Sequence, residues 1–186
     1  MTSSAIKFLF DLELFGIKLG LDNIRALGEF LGNPQNRYPV VHLAGTNGKG
    51  STAAILESIL LAAGYKVGLY TSPHLVRFNE RVRVNREEVP DAFIEGFVGP
   101  LRPEIEKHKA TFFEATTALA FQYFADRKVD IAVIETGLGG RLDKTNVFLP
   151  EFSDITSIDN NHTDWLGKIL AKIAFEKAVI IKPERP

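Results

Sequence analysis

The sequence predicts an α/β fold, built from a mostly parallel β-sheet with helices on both faces. Short, nearly uninterrupted apolar runs, typical of strands buried on both faces, alternate with longer segments of helical periodicity. A glycine-rich loop, "GTNGKGST", lies between one such run and one such helix. Of the 186 residues, 45% are apolar, so a sizeable core can form.

The predicted strands are short and alternate with the predicted helices, an order that indicates parallel βαβ units. We expect strands over residues 39–44, 66–72, 129–136 and 153–158. The polar, basic stretch "PHLVRFNERVRVNREEV" predicts an ordered excursion or a β-hairpin, and "NPQNRY" predicts a loop.

The helical segments are marked by apolar residues at intervals of three and four. We expect helical pieces within 5–32 that are broken at "FGIKLG", and helices over 51–63, "FEATTALAFQYFADR" and 164–180. "PDAFIEGFVGPLRPEIEKH" also predicts a helix, interrupted at Gly99, Pro100 and Pro103 because glycine and proline weaken helix interiors.

Composition narrows the class of protein. A net charge of −1 argues against nucleic acid or an anionic membrane as the main partner. The absence of cysteine excludes disulfides and thiolate metal sites. We find neither a signal peptide nor a stretch of about 20 apolar residues that could span a membrane. We therefore expect a cytoplasmic protein, and we expect a monomer.

The loop "GTNGKGST" predicts a phosphate-binding site. Glycines let backbone N–H groups approach phosphate oxygens, and the following helix contributes its positive N-terminus. The predicted nucleotide-binding residues are Gly45, Thr46, Asn47, Gly48, Lys49, Gly50, Ser51 and Thr52. The spacing is shorter than the standard motif, because Leu43 stands where the longer motif has glycine. The alternative is a glycine-rich turn with a solvated lysine.

Several motifs in order resemble the Mur ligase superfamily, and in particular folylpolyglutamate and dihydrofolate synthases. The matching segments include "HLAGTNGKGST", "TSPHLVRFNERV", "TFFEATTALAF" and "HTDWLGKILAKIAFEKA". The resemblance implies a P-loop NTPase-like central domain. It also implies an ATP-dependent ligase that joins L-glutamate to a folate or dihydropteroate carboxylate through an acyl phosphate.

The resemblance also suggests a domain organisation. Residues 1–186 correspond to the N-terminal, ATP-binding portion of such enzymes, and the C-terminal domain that closes over the nucleotide and the amino acid is not included. The final "IIKPERP" looks like the start of a strand that the prolines end early. We therefore expect the domain to be incomplete.

Three polar residues are expected where predicted strands end, the edge at which open α/β sheets place their sites. Ser72 and Glu135 end two of these strands, and His162 follows a third within a few residues. A hydroxyl, a carboxylate and an imidazole could share Mg²⁺ with phosphate oxygens. The resemblance places magnesium ligands at these three positions, and His162 is also a catalytic candidate. Taken singly, Ser72 fits a turn residue and His162 a cap or a solvated residue.

Lys177 falls within an apolar stripe on the predicted last helix, formed by Leu166, Ile169, Leu170, Ile173 and Ile180. Burial favours the neutral amine, and a neutral amine can react with CO₂ to give a carbamate that binds Mg²⁺. The resemblance implies such a carbamylated lysine here, so Lys177 joins the catalytic candidates. The alternative is a lysine that extends to solvent or pairs with Glu176. Lys49 of the glycine loop is another catalytic candidate.

The candidate substrate-binding residues are Arg81, Glu114 and Asp143. Arg81 belongs to a basic stretch that could equally be a solvated hairpin. Glu114 fits a capping box with Thr111, and the resemblance also places this helix beside the active site. The resemblance implies that Asp143 shapes a pteroate pocket. There Lys144 replaces a small residue, which argues against dihydrofolate synthase activity.

Two other functions stay open. One is another Mur-type ligase, such as a peptidoglycan-precursor ligase. The N-terminal segment "FGIKLGLDNIRALGEFLGNPQ" argues against it, because those ligases usually begin with a nucleotide-sugar-binding domain. The other is a nucleotide-binding module without ligase activity in this form. An ordinary GTPase is disfavoured, because the sequence has no N-K-x-D motif for the base.

Overall fold

The computed structural model describes residues 3–16, 18–159 and 169–186. Within these residues, six strands form one sheet in the order β4-β3-β2-β5-β1-β6. The strands are β1 (Val40–Ala44), β2 (Val67–Tyr70), β3 (Val82–Val84), β4 (Glu87–Glu88), β5 (Ile131–Glu135) and β6 (Phe152–Ile155). The strands β2, β5, β1 and β6 are parallel, and β3 and β4 form the antiparallel hairpin. The prediction of a mostly parallel sheet is confirmed.

Helices cover both faces of this sheet, as predicted. They are α1 (Ser4–Asp11), α2 (Asp22–Phe30), α3 (Lys49–Ala62), α4 (Asp91–His108), α5 (Phe112–Arg127) and α6 (Leu170–Ala178). Short 3₁₀ turns lie at Leu12–Phe15, Pro34–Asn36 and Phe78–Arg81. No helix in the described ranges is long and apolar enough to cross a bilayer.

The core has two parts, one on each side of the sheet. On one side, Val41, Leu43, Val67, Leu69 and Val133 pack against α3. On the other side, α5 packs with α1, α2 and α4 in the larger cluster. Because α5 is surrounded, residues on several of its faces are buried, and its sequence is apolar nearly all round.

Helix α4 is continuous, so the predicted interruption is wrong. Pro100 and Pro103 both lie inside it on its exposed side, while Ile94, Leu101 and Ile105 on its inner side are buried. Gly99 has no Cβ to meet the ring of Pro100, which removes the side-chain part of the usual clash before proline. The buried face therefore holds the helix together where local propensity would end it.

Several strand and helix ends differ from the predictions by two or more residues. The second strand ends at Tyr70, two residues before Ser72. The strand predicted over 153–158 ends at Ile155. In the last predicted helix, Ile169 is extended and α6 begins at Leu170; the predicted residues 164–168 lie outside the described part of the chain.

Candidate functional site

The carboxyl ends of the four parallel strands meet at one edge of the sheet. Strand β5 lies between β2 and β1, and Glu135 is paired in register with Leu43 of β1. Glu135, the last residue of β5, therefore lies between the glycine loop after β1 and Ser72 after β2. Strand order, which no local pattern determines, brings these three segments together.

The glycine loop ends at the N-terminus of α3. Gly48 is the residue before the helix and has a φ of 83°, a left-handed conformation that favours glycine. A Cβ on Gly45 would lie 1.9 Å from Thr156 Oγ1, so this close approach also requires glycine. No side chain caps α3, which leaves its first N–H groups and its positive end for an anion.

The first half of the loop is held by the segment that follows β6. The N–H of Thr46 donates to the carbonyl oxygen of Ser157, and the N–H of Asn47 donates to Ser157 Oγ, both at 2.9 Å. Thr156 Oγ1 donates to the carbonyl oxygen of Asn47 at 2.6 Å. These bonds engage the N–H groups of Thr46 and Asn47 within the fold. Sequence reasoning missed Thr156 and Ser157, whose only signal was their position after a predicted strand.

Lys49, Glu135 and Ser72 form the polar centre of the edge. Lys49 Nζ donates to the carbonyl oxygen of Gly45 at 3.1 Å and lies 3.8 Å from Glu135 Oε1. The N–H of Ser72 donates to Glu135 Oε2 at 3.1 Å. Burial raises the pKa of Glu135, and the Ser72 N–H and Lys49 offset part of that rise. Glu135 therefore has a cation and a backbone donor as partners.

The structure brings together two of the three candidate magnesium ligands. Ser72 and Glu135 are neighbours, whereas His162 lies outside the described residues. Within the described ranges, no cluster of three or more His, Cys, Asp or Glu side chains could hold a metal. The donors present are oxygen atoms, which suit a hard cation such as Mg²⁺.

Lys177 is buried on α6, with 4% of its surface exposed. Its Nζ donates to the carbonyl oxygen of Gly45 at 2.8 Å, the same oxygen that Lys49 contacts. Burial, and then the charge of Lys49, lower the pKa of Lys177 to about 8. A salt bridge to Glu176 is not formed, because both carboxylate oxygens of Glu176 accept from Arg141.

Only part of the predicted apolar stripe on the last helix is buried. Ile173 and Ile180 are fully buried on either side of Lys177. Ile169 and Leu170, in contrast, are 57% and 49% exposed. The stripe prediction is wrong at these two residues, because α6 begins only at Leu170 and buries just one narrow face.

A cavity of about 480 Å³ extends from this edge of the sheet. Its lining includes Lys49, Ser72, Arg81, Asp143 and Lys144, which come from different parts of the chain. Phe112 and Phe113 at the start of α5 add an aromatic wall. The cavity is therefore large enough for a small organic ligand and is continuous with the candidate phosphate site.

Arg81 is the basic hairpin residue that lines the cavity. Its Nε donates to His74 Nδ1 at 2.8 Å, and its guanidinium carbon lies 5.0 Å from the centre of the Phe112 ring. Two other arginines of this segment form ion pairs away from the cavity: Arg77 with Glu88, and Arg83 with Glu57. Of these three arginines, only Arg81 lines the cavity.

Glu114 and Lys144 form a buried ion pair at 2.8 Å. The capping box is confirmed, because Glu114 accepts from the N–H of Thr111 at 2.7 Å. Asn23 donates to the same carboxylate at 3.1 Å. Burial alone would raise the pKa of Glu114, but the bonds from Lys144, Thr111 and Asn23 hold it below its ordinary value.

The positive charge of Lys144 in the cavity wall is therefore compensated by the carboxylate of Glu114. Besides Glu114, Lys144 donates to the carbonyl oxygen of Gly20. Sequence reasoning treated it as a long cation placed in a pocket for a small residue. That reasoning missed Glu114 as its partner, because the two residues are 30 positions apart on different elements.

Asp143 lines the same cavity and is 4% exposed. Its carboxylate accepts from the N–H of Leu138 at 2.7 Å, and from the N–H and hydroxyl of Thr145 at 3.0 and 2.6 Å. Burial raises its pKa, and these hydrogen bonds oppose the rise. Asp143 therefore both orders the loop after β5 and contributes charge to the cavity wall.

Comparisons with known proteins identify relatives of this chain. Residues 43–185 match the Mur ligase middle domain. The chain is 45% identical over 179 residues to the dihydrofolate synthase/folylpolyglutamate synthase of Bacillus subtilis, covering 92% of this chain and 42% of that protein. It is 42% identical over 184 residues to the Escherichia coli protein of the same name, covering 99% and 44%.

Solved structures of related proteins are also similar to this chain. E. coli FolC in complex with DHPP and ADP has a TM-score of 0.89 and 43% identity, covering 100% of this chain and 45% of that one. A complex of folylpolyglutamate synthase with AMPPCP, described as FPGS-AMPPCP, has a TM-score of 0.90 and 40% identity, covering 98% and 46%. The chain thus spans less than half the length of these relatives. With most of its length matched by the family model, this chain belongs to the Mur ligase middle-domain family.

Proposed function

We propose that this chain binds ATP and Mg²⁺ as part of a ligase that adds L-glutamate to a folate or dihydropteroate carboxylate. The observation that carries the proposal is the meeting, at one sheet edge, of the uncapped N-terminus of α3, Lys49 and Glu135, beside a cavity of about 480 Å³. The relatives support the substrate class, because one of the similar structures is an FPGS-AMPPCP-folate complex.

The residues divide into a phosphate half and a substrate half. Lys49 and the first-turn N–H groups of α3 would bind the terminal phosphates of ATP. Ser72 and Glu135, with His162, would hold Mg²⁺, which neutralises phosphate charge when bound. Arg81 would attract an anionic group of the substrate, and its Phe112 partner would contact a flat ring.

The proposed reaction has two steps, phosphoryl transfer and then amide formation. The terminal phosphoryl group of ATP passes to the substrate carboxylate, giving an acyl phosphate and ADP. The amine of glutamate then displaces inorganic phosphate and loses a proton, which leaves the amide. The contribution of Lys49 is to hold the phosphoryl group in place, and burial excludes water from the carboxylate of Glu135.

Carbamylation of Lys177 is part of the proposal. Burial lowers the pKa of Lys177 to about 8, so the neutral, nucleophilic amine is more populated than in an exposed lysine, and the amine lies beside the glycine loop. A resonance from ¹³C-labelled carbamate that appears with labelled bicarbonate and is lost in Lys177→Met would support it. A spectrum without that resonance in the unmodified chain would contradict it.

The proposal extends to domain organisation, localisation and oligomeric state. We propose that residues 1–186 act as the N-terminal, ATP-binding part of the ligase, that glutamate is bound by a separate C-terminal domain, and that the protein is cytoplasmic and monomeric. The relatives are more than twice the length of the part matched here, which supports a further domain in the working enzyme.

Calorimetric titration with MgATP tests the phosphate half. We expect metal-dependent binding that EDTA removes, and binding roughly 10- to 100-fold weaker in Lys49→Ala, since a hydrogen bond from a charged donor is lost. Lys172→Ala is the matched control, because Lys172 lies exposed on α6. Equal ATP affinity in Lys49→Ala and in the unmodified chain would contradict the assignment of the loop.

A nucleotide-binding module without ligase activity is the second candidate. The described residues include the phosphate-site and cavity groups that this candidate requires. Incubation with MgATP, folate and glutamate separates the two candidates: ADP release that depends on both substrates supports the ligase, and binding without turnover supports the module.

A further inference from the structure

A buried chain of hydrogen bonds leads from the centre of the sheet to the cavity wall. His42 lies in the middle of β1, paired in register with Ile134 on one side and Ser153 on the other. Its Nε2 lies 2.7 Å from Thr145 Oγ1, and that hydroxyl lies 2.6 Å from Asp143 Oδ1. Of the three linked residues, only Asp143 lines the cavity.

The proton positions in this chain follow from counting donors. The N–H groups of Leu138 and Thr145 both donate to Asp143, so the arrangement suits an ionised carboxylate that can only accept. The Thr145 hydroxyl has one proton, and it is donated to Asp143 Oδ1. His42 therefore faces a lone pair of Thr145 and must donate its own proton from Nε2.

Two further observations agree with this tautomer. His42 Nδ1 has no hydrogen-bond partner in the described part of the chain, as expected if it bears a lone pair and not a proton. The ring is fully buried, with its centre 4.8 Å from that of Phe148, so packing restricts its movement. A neutral ring has a single N–H, and this geometry directs it at Thr145.

We infer that His42 and Thr145 are positioning residues that hold the Asp143 carboxylate in the cavity wall for the substrate. The inference rests on the proposed function and on the expectation that Asp143 shapes the substrate pocket. Without the His42 donor, the Thr145 hydroxyl is free to rotate away from Asp143. Without the Thr145 hydroxyl, one oxygen of Asp143 loses its shortest hydrogen bond.

Matched pairs of variants separate this role from simple packing. Thr145→Val removes the hydroxyl at nearly constant volume, whereas Thr145→Ser keeps it. His42→Met removes the donor, whereas His42→Gln supplies an amide N–H close to the position of Nε2. Each variant is titrated with folate and, separately, with MgATP, and its melting temperature is recorded.

We expect Thr145→Val and His42→Met to weaken folate binding by about 5- to 10-fold, because a hydrogen bond to a charged group is lost or misdirected. MgATP binding should stay within about 2-fold, and Thr145→Ser and His42→Gln should retain folate affinity. Folate affinity that is unchanged in a folded Thr145→Val overturns the inference. Equal losses of folate and MgATP affinity also overturn it, because they indicate general loosening.

Nitrogen-15 NMR of the His42 ring distinguishes a failure of this inference from a failure of the proposed function. We expect a protonated Nε2 in the unmodified chain and a changed tautomer ratio in Thr145→Val. If folate does not bind but these signals are seen, the proposed substrate fails and the hydrogen-bond chain stands. A proton on Nδ1 overturns the inference whether or not folate binds.

Discussion

His42 makes the stability of the fold depend on pH. Burial, and then the charge of Lys182, lower its pKa from 6.5 to about 3. Below pH 6.5 the unfolded chain therefore binds a proton that the folded chain refuses until about pH 3. The free energy of unfolding must fall as the pH falls through this window.

We predict that His42 accounts for about 2 kcal/mol of the stability lost between pH 7 and pH 5, from the linkage relation. Urea unfolding of the unmodified chain and of His42→Gln at both pH values measures this share, because glutamine does not titrate. Thr145→Val is the control: it keeps the imidazole and should keep the pH dependence. Equal pH dependence in His42→Gln and the unmodified chain would contradict the prediction.

The glycine loop shows a different limit at the residue scale. Its position between a predicted strand and a predicted helix, with its glycines and lysine, indicated a phosphate site, and the uncapped α3 supports that prediction. Which N–H groups of the loop are bonded within the fold was not predictable from the sequence. The N–H of Asn47 donates to Ser157 Oγ, and the two residues are 110 positions apart. A donor's partner is set by the fold when the two are distant in sequence.

At the scale of elements, α4 shows packing prevailing over propensity. Gly99, Pro100 and Pro103 predict a broken helix, yet one helix runs from Asp91 to His108. Gly96, an exposed residue in the interior of this helix, still lowers the stability of the helix relative to alanine. A Cβ on Gly96 would have no atom within 4 Å outside the local helix backbone, and its φ is not positive.

We predict that Gly96→Ala raises the free energy of unfolding by about 1 kcal/mol, because alanine loses less backbone entropy in a helix. Gly140→Ala is the opposing control: its Cβ would lie 2.6 Å from the carbonyl oxygen of Glu176, so it should destabilise the fold. Urea unfolding of both variants measures the difference. Destabilisation by Gly96→Ala would show that this part of α4 is not a regular helix.

At the scale of the whole molecule, the Glu114–Lys144 pair connects segments distant in sequence. Lys144 joins the loop after β5 to Gly20, and Glu114 joins α5 to Asn23 at the start of α2. The side chains are only 2% and 6% exposed, so each charge depends on the other for compensation. Removing one partner leaves an unpaired buried charge.

We predict that Lys144→Met destabilises the chain by about 3–5 kcal/mol, the usual cost of breaking a buried pair from one side. Adding Glu114→Gln should recover part of this loss, since the stranded charge is removed. The exposed pair Arg102–Glu106 is the matched control, where Arg102→Met should cost about 1 kcal/mol or less. A double variant less stable than Lys144→Met would contradict the pairing argument; chemical unfolding measures all of them.

The sequence by itself determined the element types and the candidate nucleotide site. Apolar periodicity identified the four parallel strands and most helices, and the glycine loop between β1 and α3 indicated phosphate. These features are local: each depends on residues within about two turns of helix or one strand, where backbone geometry dictates side-chain direction. They could therefore be predicted from one chain without any structure.

Only the tertiary structure decided which residues are partners. It placed Glu135 between β1 and β2, paired Lys144 with Glu114, and joined His42 to Asp143 through Thr145. Burial makes each of these contacts strong, because an unpaired polar group costs far more in the interior than in water. Strand order and loop packing determine which groups are buried together, and neither is encoded within a short stretch of sequence.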